Sequence, residues 1–390
     1  MERREFIIKS GVFITAATLL SIGHPVMAQA MPEKESSTVA GNRKRPDPHR
    51  FSQPIMKAIA IGLNAPSPHN TQSWKFKIID DNSMLFYVDR EVLLPATDPP
   101  SRQIHIGAGC FIETLAIGVT QLGLTADVQY FPEGYEGADD YGIKPVAEIQ
   151  VRQTDNVAVH PLAPYILDRQ TNRRPSTGEI VKRTTFEDLQ ARAGKVHSKV
   201  LFFNENLEAF QDIFYRGLDI ESRTRNTNEE TRLLFRFSES ERAEKGNGLS
   251  IPQMGYKGLM AKIVEMSVKD GDPVAWHKPS TIDKSMKHIK KAIESTKGVV
   301  IWITETNTFK DWVENGRDYM RFSLACTARD LYLHPYNQAI QEYPEMDELR
   351  AEFDKFIGVR GTQKIQMVVR IGHSSKPYYT YRKSLEDYIM

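Results

Sequence analysis

The sequence predicts a chain of mixed helices and strands in which one structural unit occurs twice. An alternating, aromatic-rich pattern typical of a strand covers residues 85–89 and returns at residues 301–305, an offset of 216. An apolar helix with small residues surrounds Cys110, and a similar helix surrounds Cys326, again 216 residues further along. Repeats at one fixed offset indicate a duplicated unit.

Each copy closes with an apolar strand that ends in arginine, at residues 147–152 and 365–370. We place the first half at residues 53–153 and the second half at residues 154–390. The two cysteine-bearing helices are rich in glycine, alanine and serine, so they can approach each other closely and form a buried seam. Both cysteines are expected to be packed thiols rather than reactive ones.

The composition of the 390 residues excludes several classes of protein. The 51 lysines and arginines balance 50 acidic residues, which gives no electrostatic case for binding nucleic acid. Two cysteines exclude a disulfide scaffold, and no cysteine or histidine cluster predicts a metal site. The glycine patterns of dinucleotide and phosphate-binding loops are incomplete. His69 and His105 are interpreted as packing residues rather than metal ligands.

The first thirty residues (1–30) have the pattern of an export signal. Arg3 and Arg4 precede an apolar run at residues 11–22, and an Ala-Gln-Ala cleavage site follows. The run would reach about 18 Å as a helix, short of the ~30 Å core of a bilayer, which disfavours a permanent anchor. The paired arginines favour the twin-arginine route and a periplasmic location, and an ordinary secretory signal is the alternative.

Two segments fall outside the repeat. Residues 31–52 are polar and contain prolines, which predicts a linker. Its basic cluster at residues 43–45 could bind phosphate, but a solvated tail is the favoured interpretation. Residues 226–284, here called the insertion, have no counterpart in the first half. Long insertions in compact domains usually act as lids or binding loops, and a plain surface excursion is the alternative.

The first motif of a candidate site is a loop at residues 65–74, here called the proline loop. Two prolines, Pro66 among them, fix its backbone and remove amide donors. Ser67, Asn70 and Gln72 then offer donors and acceptors from a rigid support. Such a loop suits the rim of a flat heterocycle, and a capped helix-to-strand turn is the alternative.

Two basic motifs accompany the proline loop. Arg169, Thr171 and Arg173 open the second half, where guanidinium groups beside hydroxyl and amide groups suit an anionic ligand. Arg382 and Lys383 lie near the C-terminus and could clamp a phosphate. A solvated charge run and a basic tail are the respective alternatives.

Taken together, these motifs resemble those of the FMN-dependent nitroreductase superfamily. The His-Pro-Leu at residues 160–162 and the Arg-Gln-Ile-His-Ile-Gly at residues 102–107 make the chain similar to its double-length, Acg-like branch. The resemblance covers most of the chain from about residue 53 onward. It implies an α+β fold of two tandem halves that form an intramolecular pseudo-dimer, with three α/β/α layers and a mainly antiparallel sheet.

The resemblance also implies one FMN per chain, held between the halves, because the second half lacks a clean copy of the proline loop. It assigns to the cofactor Pro66, Ser67, Asn70, Gln72, Arg169, Thr171, Arg173, Arg382 and Lys383. The first four would contact the ring and ribityl edges, and the next three would lie near the ribityl-phosphate and the N1–O2 edge. The last two would hold the phosphate. The turn at residues 334–337 would lie near flavin N5.

The activity implied by the resemblance is that of an FMN-binding oxidoreductase of nitroreductase type. A small-molecule donor would reduce the flavin, which would pass electrons through N5 to a nitro compound, a quinone or a similar acceptor. The alternative is a non-catalytic protein that sequesters or stores FMN under a lid, and a scaffold without flavin is a third possibility. We expect a monomer without a nucleic-acid partner, and without a membrane partner once the signal is removed.

Overall fold

The computed structural model describes residues 45–268 and 271–390. The predicted export signal at residues 1–30 and most of the predicted linker lie outside the described residues. The described residues belong to one compact unit. They contain eleven α-helices and eight β-strands, so the expectation of mixed helices and strands is confirmed.

The bounds of the elements follow the chain order. The helices are α1 (Pro54–Gly62), α2 (Arg102–Gly118), α3 (Arg183–Ala193), α4 (Leu207–Arg223), α5 (Arg225–Leu233), α6 (Glu239–Lys245), α7 (Gly258–Ser267), α8 (Pro273–Trp276), α9 (Pro279–Glu294), α10 (Phe309–Thr327) and α11 (Asp347–Ile357). The strands are β1 (Trp74–Ile78), β2 (Ser83–Val88), β3 (Leu124–Tyr130), β4 (Ala147–Gln153), β5 (Lys199–Phe203), β6 (Val299–Thr304), β7 (Tyr332–Pro335) and β8 (Lys364–Gly372).

The strands form two four-stranded sheets with the same internal order. The first sheet runs β1-β2-β4-β3 and the second runs β5-β6-β8-β7. Every pair of neighbouring strands is antiparallel. The sequence repeats fall on the matching central strands, β2 with β6 and β4 with β8. The α+β class and the antiparallel sheets are therefore confirmed, and the two-sheet layout is consistent with a tandem duplication.

Helices α2 and α10 cross at backbone contact, which forms the seam expected from their small residues. A Cβ atom on Gly109 would lie 1.9 Å from the carbonyl oxygen of Val313, and one on Gly316 would lie 2.0 Å from that of Ile106. Only glycine fits such an approach. The Cys110 thiol donates a hydrogen bond to the Gly316 carbonyl oxygen at 3.3 Å. Burial raises the pKa of Cys110 to about 12, which confirms a packed thiol.

Cys110 and Cys326 are separated by the same 216 residues as the repeated strands, but they occupy different positions in the two seam helices. The seam helices cross at Gly109 and Gly316, so Cys110 lies at the crossing, whereas Cys326 lies in the last turn of α10. The segment 102–122, which contains α2, is long and apolar enough to span a membrane, but 83% of its apolar window is buried inside the protein. Its apolar character is explained by this position in the seam.

One hydrophobic core runs through both halves, and two smaller ones lie in the second half. The main core includes Trp74 and Phe111 of the first half and Trp302 and Phe322 of the second. The insertion has a small core of its own, in which Phe235 is one of the buried side chains. The insertion therefore packs around buried side chains of its own.

The described part of the predicted linker is packed against the protein. Arg45 is only 9% exposed and Phe51 packs against the main core. Asp47 caps a short 3-10 turn at Pro48–Arg50 by accepting a hydrogen bond from the backbone N–H of His49 at 2.9 Å. The interpretation of Arg45 as part of a solvated tail is therefore wrong. Residues 45–52 are called the arm below.

Candidate functional site

A cavity opens between the two halves, next to the seam. The first half lines it with Ser67 and Pro68 of the proline loop and with Gly107 of α2, and the second half lines it with Thr171 and Arg173. It contains about 840 Å³ of space free of protein atoms, counting its open mouth. Ser67 of the first half and Arg173 of the second thus face one space.

The proline loop holds an unusual backbone conformation. His69, Asn70 and Gln72 have φ angles of 45°, 55° and 54°. This left-handed region costs about 1–2 kcal/mol for most residues, and asparagine tolerates it best. A hydrogen bond of 3.0 Å from the backbone N–H of Gln72 to the Ser67 Oγ closes the loop. Strain of this kind persists only where the surroundings hold it, and it is common at ligand sites.

Gln72 is the hydrogen-bonding centre that holds the loop. Its side chain is 0% exposed. The amide nitrogen donates to the carbonyl oxygen of Gly246 at 2.9 Å and to that of Asn70 at 3.1 Å. The amide oxygen accepts from the backbone N–H of Lys383 at 3.1 Å and from the Tyr388 hydroxyl. The Gln72 amide is therefore occupied by protein groups and does not line the cavity.

Asn70 also turns toward the insertion and the C-terminal segment. Its amide nitrogen donates to the carbonyl oxygen of Gly248 at 3.3 Å, and its own carbonyl oxygen accepts from the Gly248 N–H at 3.1 Å. Its amide oxygen accepts from an Arg382 Nη1 at 3.1 Å. Sequence reasoning assigned Asn70 to the ring edge, but the structure uses it to fasten the loop, while Pro66 and Ser67 line the cavity.

Arg382 lies at the end of α1 with its donors engaged. It is 2% exposed and donates from Nε to the Leu63 carbonyl oxygen at 2.7 Å and from Nη2 to that of Ala65 at 2.8 Å. A cation is favourable at a helix C-terminus, where unpaired carbonyls collect. The Lys383 ammonium lies 5.7 Å from the Tyr388 ring centroid. Neither side chain lines the cavity, and Arg382 acts as a helix cap.

Arg173 supplies positive charge to the cavity wall. Burial lowers its pKa, and the opposing influences are the phenols of Tyr336 and Tyr319 rather than a carboxylate. Loss of hydration together with the Arg173 charge lowers the pKa of His69 to about 4, and the same two causes, with Arg370, lower that of His334. Both imidazoles are neutral near pH 7 and add no second positive charge, and no carboxylate is among the groups that act on the Arg173 charge.

Arg169 lies behind this wall, beside Cys110 and Tyr319, which both line the cavity. It is 3% exposed, and its Nε and Nη1 atoms have no hydrogen-bond partner within residues 45–268 and 271–390. Arg45 of the arm is its electrostatic neighbour. Sequence reasoning considered a phosphate site at the basic cluster of residues 43–45 but favoured a solvated tail, so it did not place Arg45 beside Arg169.

Asp98 is the acidic residue in the part of the cavity wall that the structure describes. Burial raises its pKa to about 7, although Arg102 opposes the shift. Its Oδ2 accepts a hydrogen bond of 3.0 Å from the backbone N–H of Ile104, in the first turn of α2. Sequence reasoning did not single out Asp98, because nothing local distinguishes it from a helix-capping aspartate.

The end of β7 and the turn after it form another part of the cavity wall. Pro335, Asn337 and Gln338 line the cavity. Asn337 is fixed by two contacts: its amide nitrogen donates to Gln103 Oε1 at 3.2 Å, and its oxygen accepts from the Val368 N–H at 3.0 Å. The turn at 334–337 is thus rigidly held beside the cavity.

The insertion also forms hydrogen bonds with the part of the cavity rim that belongs to the first half. The Glu230 carboxylate accepts hydrogen bonds from the backbone N–H groups of Ala96, at 2.8 Å, and Thr97, at 3.1 Å. It also accepts from the Thr97 hydroxyl at 2.5 Å. Thr97 lines the cavity. Together with the contacts of Gly246 and Gly248, this fastens the insertion to two sides of the site.

Fold and cavity together define an α+β protein with two similar antiparallel sheets and a cavity between its halves. No family model matches the chain. The chain is similar to a protein of Mycobacterium tuberculosis named putative NAD(P)H nitroreductase acg, with 30% identity over 132 residues, which is 33% of this chain and 38% of that protein. A second putative NAD(P)H nitroreductase of that organism is 27% identical over 125 residues, covering 32% and 34%. The matched stretch thus spans little more than a third of each relative.

Similar solved structures carry nitroreductase names. A nitroreductase-like protein of Bacillus cereus has 14% identity and a TM-score of 0.31, covering 60% of this chain and 96% of that chain. A nitroreductase with bound FMN from Desulfitobacterium hafniense has 12% identity and a TM-score of 0.36, covering 59% and 96%. The FMN-dependent nitroreductase NfnB of Mycobacterium smegmatis, solved with NADPH, has 15% identity and a TM-score of 0.33, covering 58% and 96%.

Proposed function

We propose that this protein is an FMN-binding oxidoreductase of the nitroreductase type, with one FMN per chain. The observation that carries the proposal is the cavity between the halves, which joins the rigid proline loop to the charge of Arg173. The relatives named as putative NAD(P)H nitroreductases support the same activity. Bound FMN would supply hydride acceptance and electron transfer through N5.

The residues of the cavity fit such a cofactor. A flat ring needs polar groups at its edge and apolar surface on its faces, and the wall offers Ser67 and Thr171 beside Pro66 and Leu94. A phosphate needs cationic donors, and Arg169 has buried Nε and Nη1 atoms without partners among the described residues. The chemistry of the available groups therefore matches both ends of FMN.

Arg173 is the residue that we assign to the electronics of the ring. A cation held near the N1–O2 edge favours the anionic reduced form, which is the usual means by which a protein adjusts a flavin. Because the neighbouring His69 and His334 have lowered pKa values, they add no competing charge near pH 7. The other side chains that line the cavity would then orient the ring and exclude water.

The electron donor would be NAD(P)H or another small reductant, and the acceptor a nitro compound, a quinone or a similar molecule. The test is an absorption spectrum of the purified, FMN-loaded protein before and after anaerobic addition of NADPH, followed by a nitrofuran or a quinone. Loss and return of the flavin band near 450 nm, as expected for bound flavin chemistry, is the predicted result. Protein that takes up no FMN would refute the proposal.

A specific observation favours a second candidate function, the sequestration of FMN. Gln72 and Asn70 bind the insertion at Gly246 and Gly248, and Glu230 binds the rim at Thr97. An insertion held at both places could deny donors access to a bound flavin. Under this alternative the loaded protein is yellow, but NADH and NADPH leave its spectrum unchanged.

We also propose export by the twin-arginine route and a periplasmic location, with a single chain as the functional unit. The support is the sequence pattern of Arg3 and Arg4 before an apolar run. Replacing both arginines by lysine should keep the protein in the cytoplasm of a bacterial host, as fractionation and N-terminal sequencing would report. Export of the double variant at the original level would refute the route.

A further inference from the structure

The arm carries a buried cation that forms no ion pair with a carboxylate of the described residues. Arg45 is 9% exposed, and its neighbour is the Tyr379 side chain, whose hydroxyl raises the pKa of the guanidinium by charge and by a hydrogen bond. Its guanidinium carbon lies 4.5 Å from the centroid of the Tyr379 ring. A cation over an aromatic face is attracted to it, so Tyr379 can hold the guanidinium in place.

Arg45 does not lie alone. Burial lowers its pKa, the Tyr379 hydroxyl opposes this, and the charge of Arg169 adds to the lowering. Arg382 in turn has a lowered pKa because of burial and the charges of Arg45 and Arg169. Three guanidinium groups therefore share one buried region. The largest influences that raise their pKa values are tyrosine hydroxyls and the Cys110 thiol rather than carboxylates.

The donors of these three groups are not equally available. Arg382 uses its nitrogens on the carbonyl oxygens at the end of α1 and on Asn70. Among the described residues, Arg169 has no hydrogen-bond partner for Nε and Nη1, and Arg45 has the neutral Tyr379 side chain beside it rather than a carboxylate. Buried charges without partners are costly, often by several kcal/mol, so proteins normally pair them. A doubly charged anion would pair both groups at once.

We propose that Arg45 of the arm and Arg169 of the second half together bind the phosphate monoester of the ligand. The inference rests on the proposed function for the identity of that ligand as FMN. It keeps Arg169 near the ribityl-phosphate, as the resemblance implies, puts Arg45 in the place given to Arg382 and Lys383, and makes the arm part of the binding site. Guanidinium groups suit this task because their planar donors match phosphate oxygens in pairs.

The proposal predicts how the protein distinguishes FMN from riboflavin, which has the same ring and ribityl chain without the phosphate. The Arg45→Ala variant should bind FMN about 10- to 100-fold more weakly, because hydrogen bonds between charged groups contribute that much to affinity. Its affinity for riboflavin should stay at the wild-type value. Arg45→Lys should recover part of the FMN affinity, because it keeps the charge and loses the paired donors.

The matched control is Arg50→Ala. Arg50 lies in the same arm but is exposed, so this variant should bind both flavins as the wild type does. Dissociation constants are measured by quenching of flavin fluorescence on the full chain. Without flavin, the Arg45→Ala protein should have a melting temperature no lower than that of the wild type, because the change removes a buried charge that no carboxylate compensates.

The outcomes separate this inference from the proposed function. Equal FMN affinity in Arg45→Ala and wild type would overturn the inference, as would an equal loss for FMN and riboflavin. If the wild type binds neither flavin, the proposed function fails. Inorganic phosphate is then the probe: a rise in melting temperature in the wild type but not in Arg45→Ala supports the anion site with another phosphorylated ligand. No rise in either protein would refute it.

Discussion

The amide nitrogen of Gln72 donates a hydrogen bond of 2.9 Å to the carbonyl oxygen of Gly246. This contact joins the proline loop of the first half to the insertion of the second, across 174 residues of sequence. Through the same amide, Gln72 reaches the backbone N–H of Lys383 and the Tyr388 hydroxyl near the C-terminus. One side chain thus fixes three segments around the site.

Replacing Gln72 by Met should destabilise the protein by about 1–3 kcal/mol. The substitution keeps the volume but leaves the Gly246 oxygen and the Lys383 N–H buried without their partner, and unsatisfied buried groups cost about this much. Unfolding in urea measures the change. Gln129→Met is the control, because Gln129 is exposed on β3 and should be replaceable without effect. Equal stability of Gln72→Met and wild type would refute the role of Gln72.

Replacing Glu230 by Ala should loosen the rim of the cavity. The carboxylate holds the N–H groups of Ala96 and Thr97, and hydrogen bonds to a charged acceptor contribute about 1.5–3 kcal/mol. Amide hydrogen exchange at Ala96 and Thr97 should therefore accelerate by about 10- to 100-fold. Glu208→Ala, at an exposed position in the first turn of α4, should leave both rates unchanged. Unaltered exchange in Glu230→Ala would mean that the insertion does not hold the rim.

Replacing Gly109 by Ala should disrupt the seam. The new Cβ would lie 1.9 Å from the Val313 carbonyl oxygen, so the helix backbones must move apart. Overpacking of this kind costs about 1–3 kcal/mol and sometimes more. Thermal unfolding measures the loss. Gly137→Ala should be neutral, because its Cβ meets no atom within 4 Å and its φ of −179° suits any residue. A Gly109→Ala protein as stable as the wild type would contradict the backbone contact.

Asp98 should make the protein less stable as the pH rises toward neutrality. Its folded pKa is raised from 3.8 to about 7 by burial, so the folded state holds the proton more tightly than the unfolded state. The associated stability is complete below about pH 4 and is lost between about pH 4 and pH 7. Glu221, whose pKa burial raises to about 7, acts in the same direction.

The Asp98→Asn variant isolates this contribution. The melting temperature of the wild type minus that of the variant should decrease between pH 4.5 and pH 7, because Asp98 titrates only in the wild type. The amide oxygen can still accept from the Ile104 N–H, so the start of α2 should persist. Glu342, with a pKa of about 2, affects stability only below about pH 4.5 and does not interfere. Parallel curves for variant and wild type would rule out Asp98 as the titrating group.

The sequence predicted the repeated framework because strands and apolar helices leave local patterns. The alternation at residues 85–89 and 301–305 reappears as β2 and β6, each next to the closing strand of its half. The seam helices were recognisable from their glycines and alanines. The equal spacing of Cys110 and Cys326 wrongly suggested equivalent positions in the seam, because an offset in sequence does not show where two helices cross.

The sequence could not predict which way the polar groups of the site turn. Asn70 and Gln72 were recognised as site residues, but their partners at Gly246 and Gly248 lie more than 170 residues away. Arg45 lies 4.5 Å from the ring of Tyr379, a residue far along the chain. Burial created by distant segments leaves no local pattern around the buried residue.

The central claim is that the cavity between the halves holds one FMN. The most direct measurement is the flavin content of the purified chain after incubation with excess FMN and removal of the unbound cofactor, for the wild type and for Arg173→Ala. We expect one FMN per wild-type chain and a marked loss in the variant. A wild-type chain that retains no flavin, or an Arg173→Ala chain that retains as much as the wild type, would contradict the account.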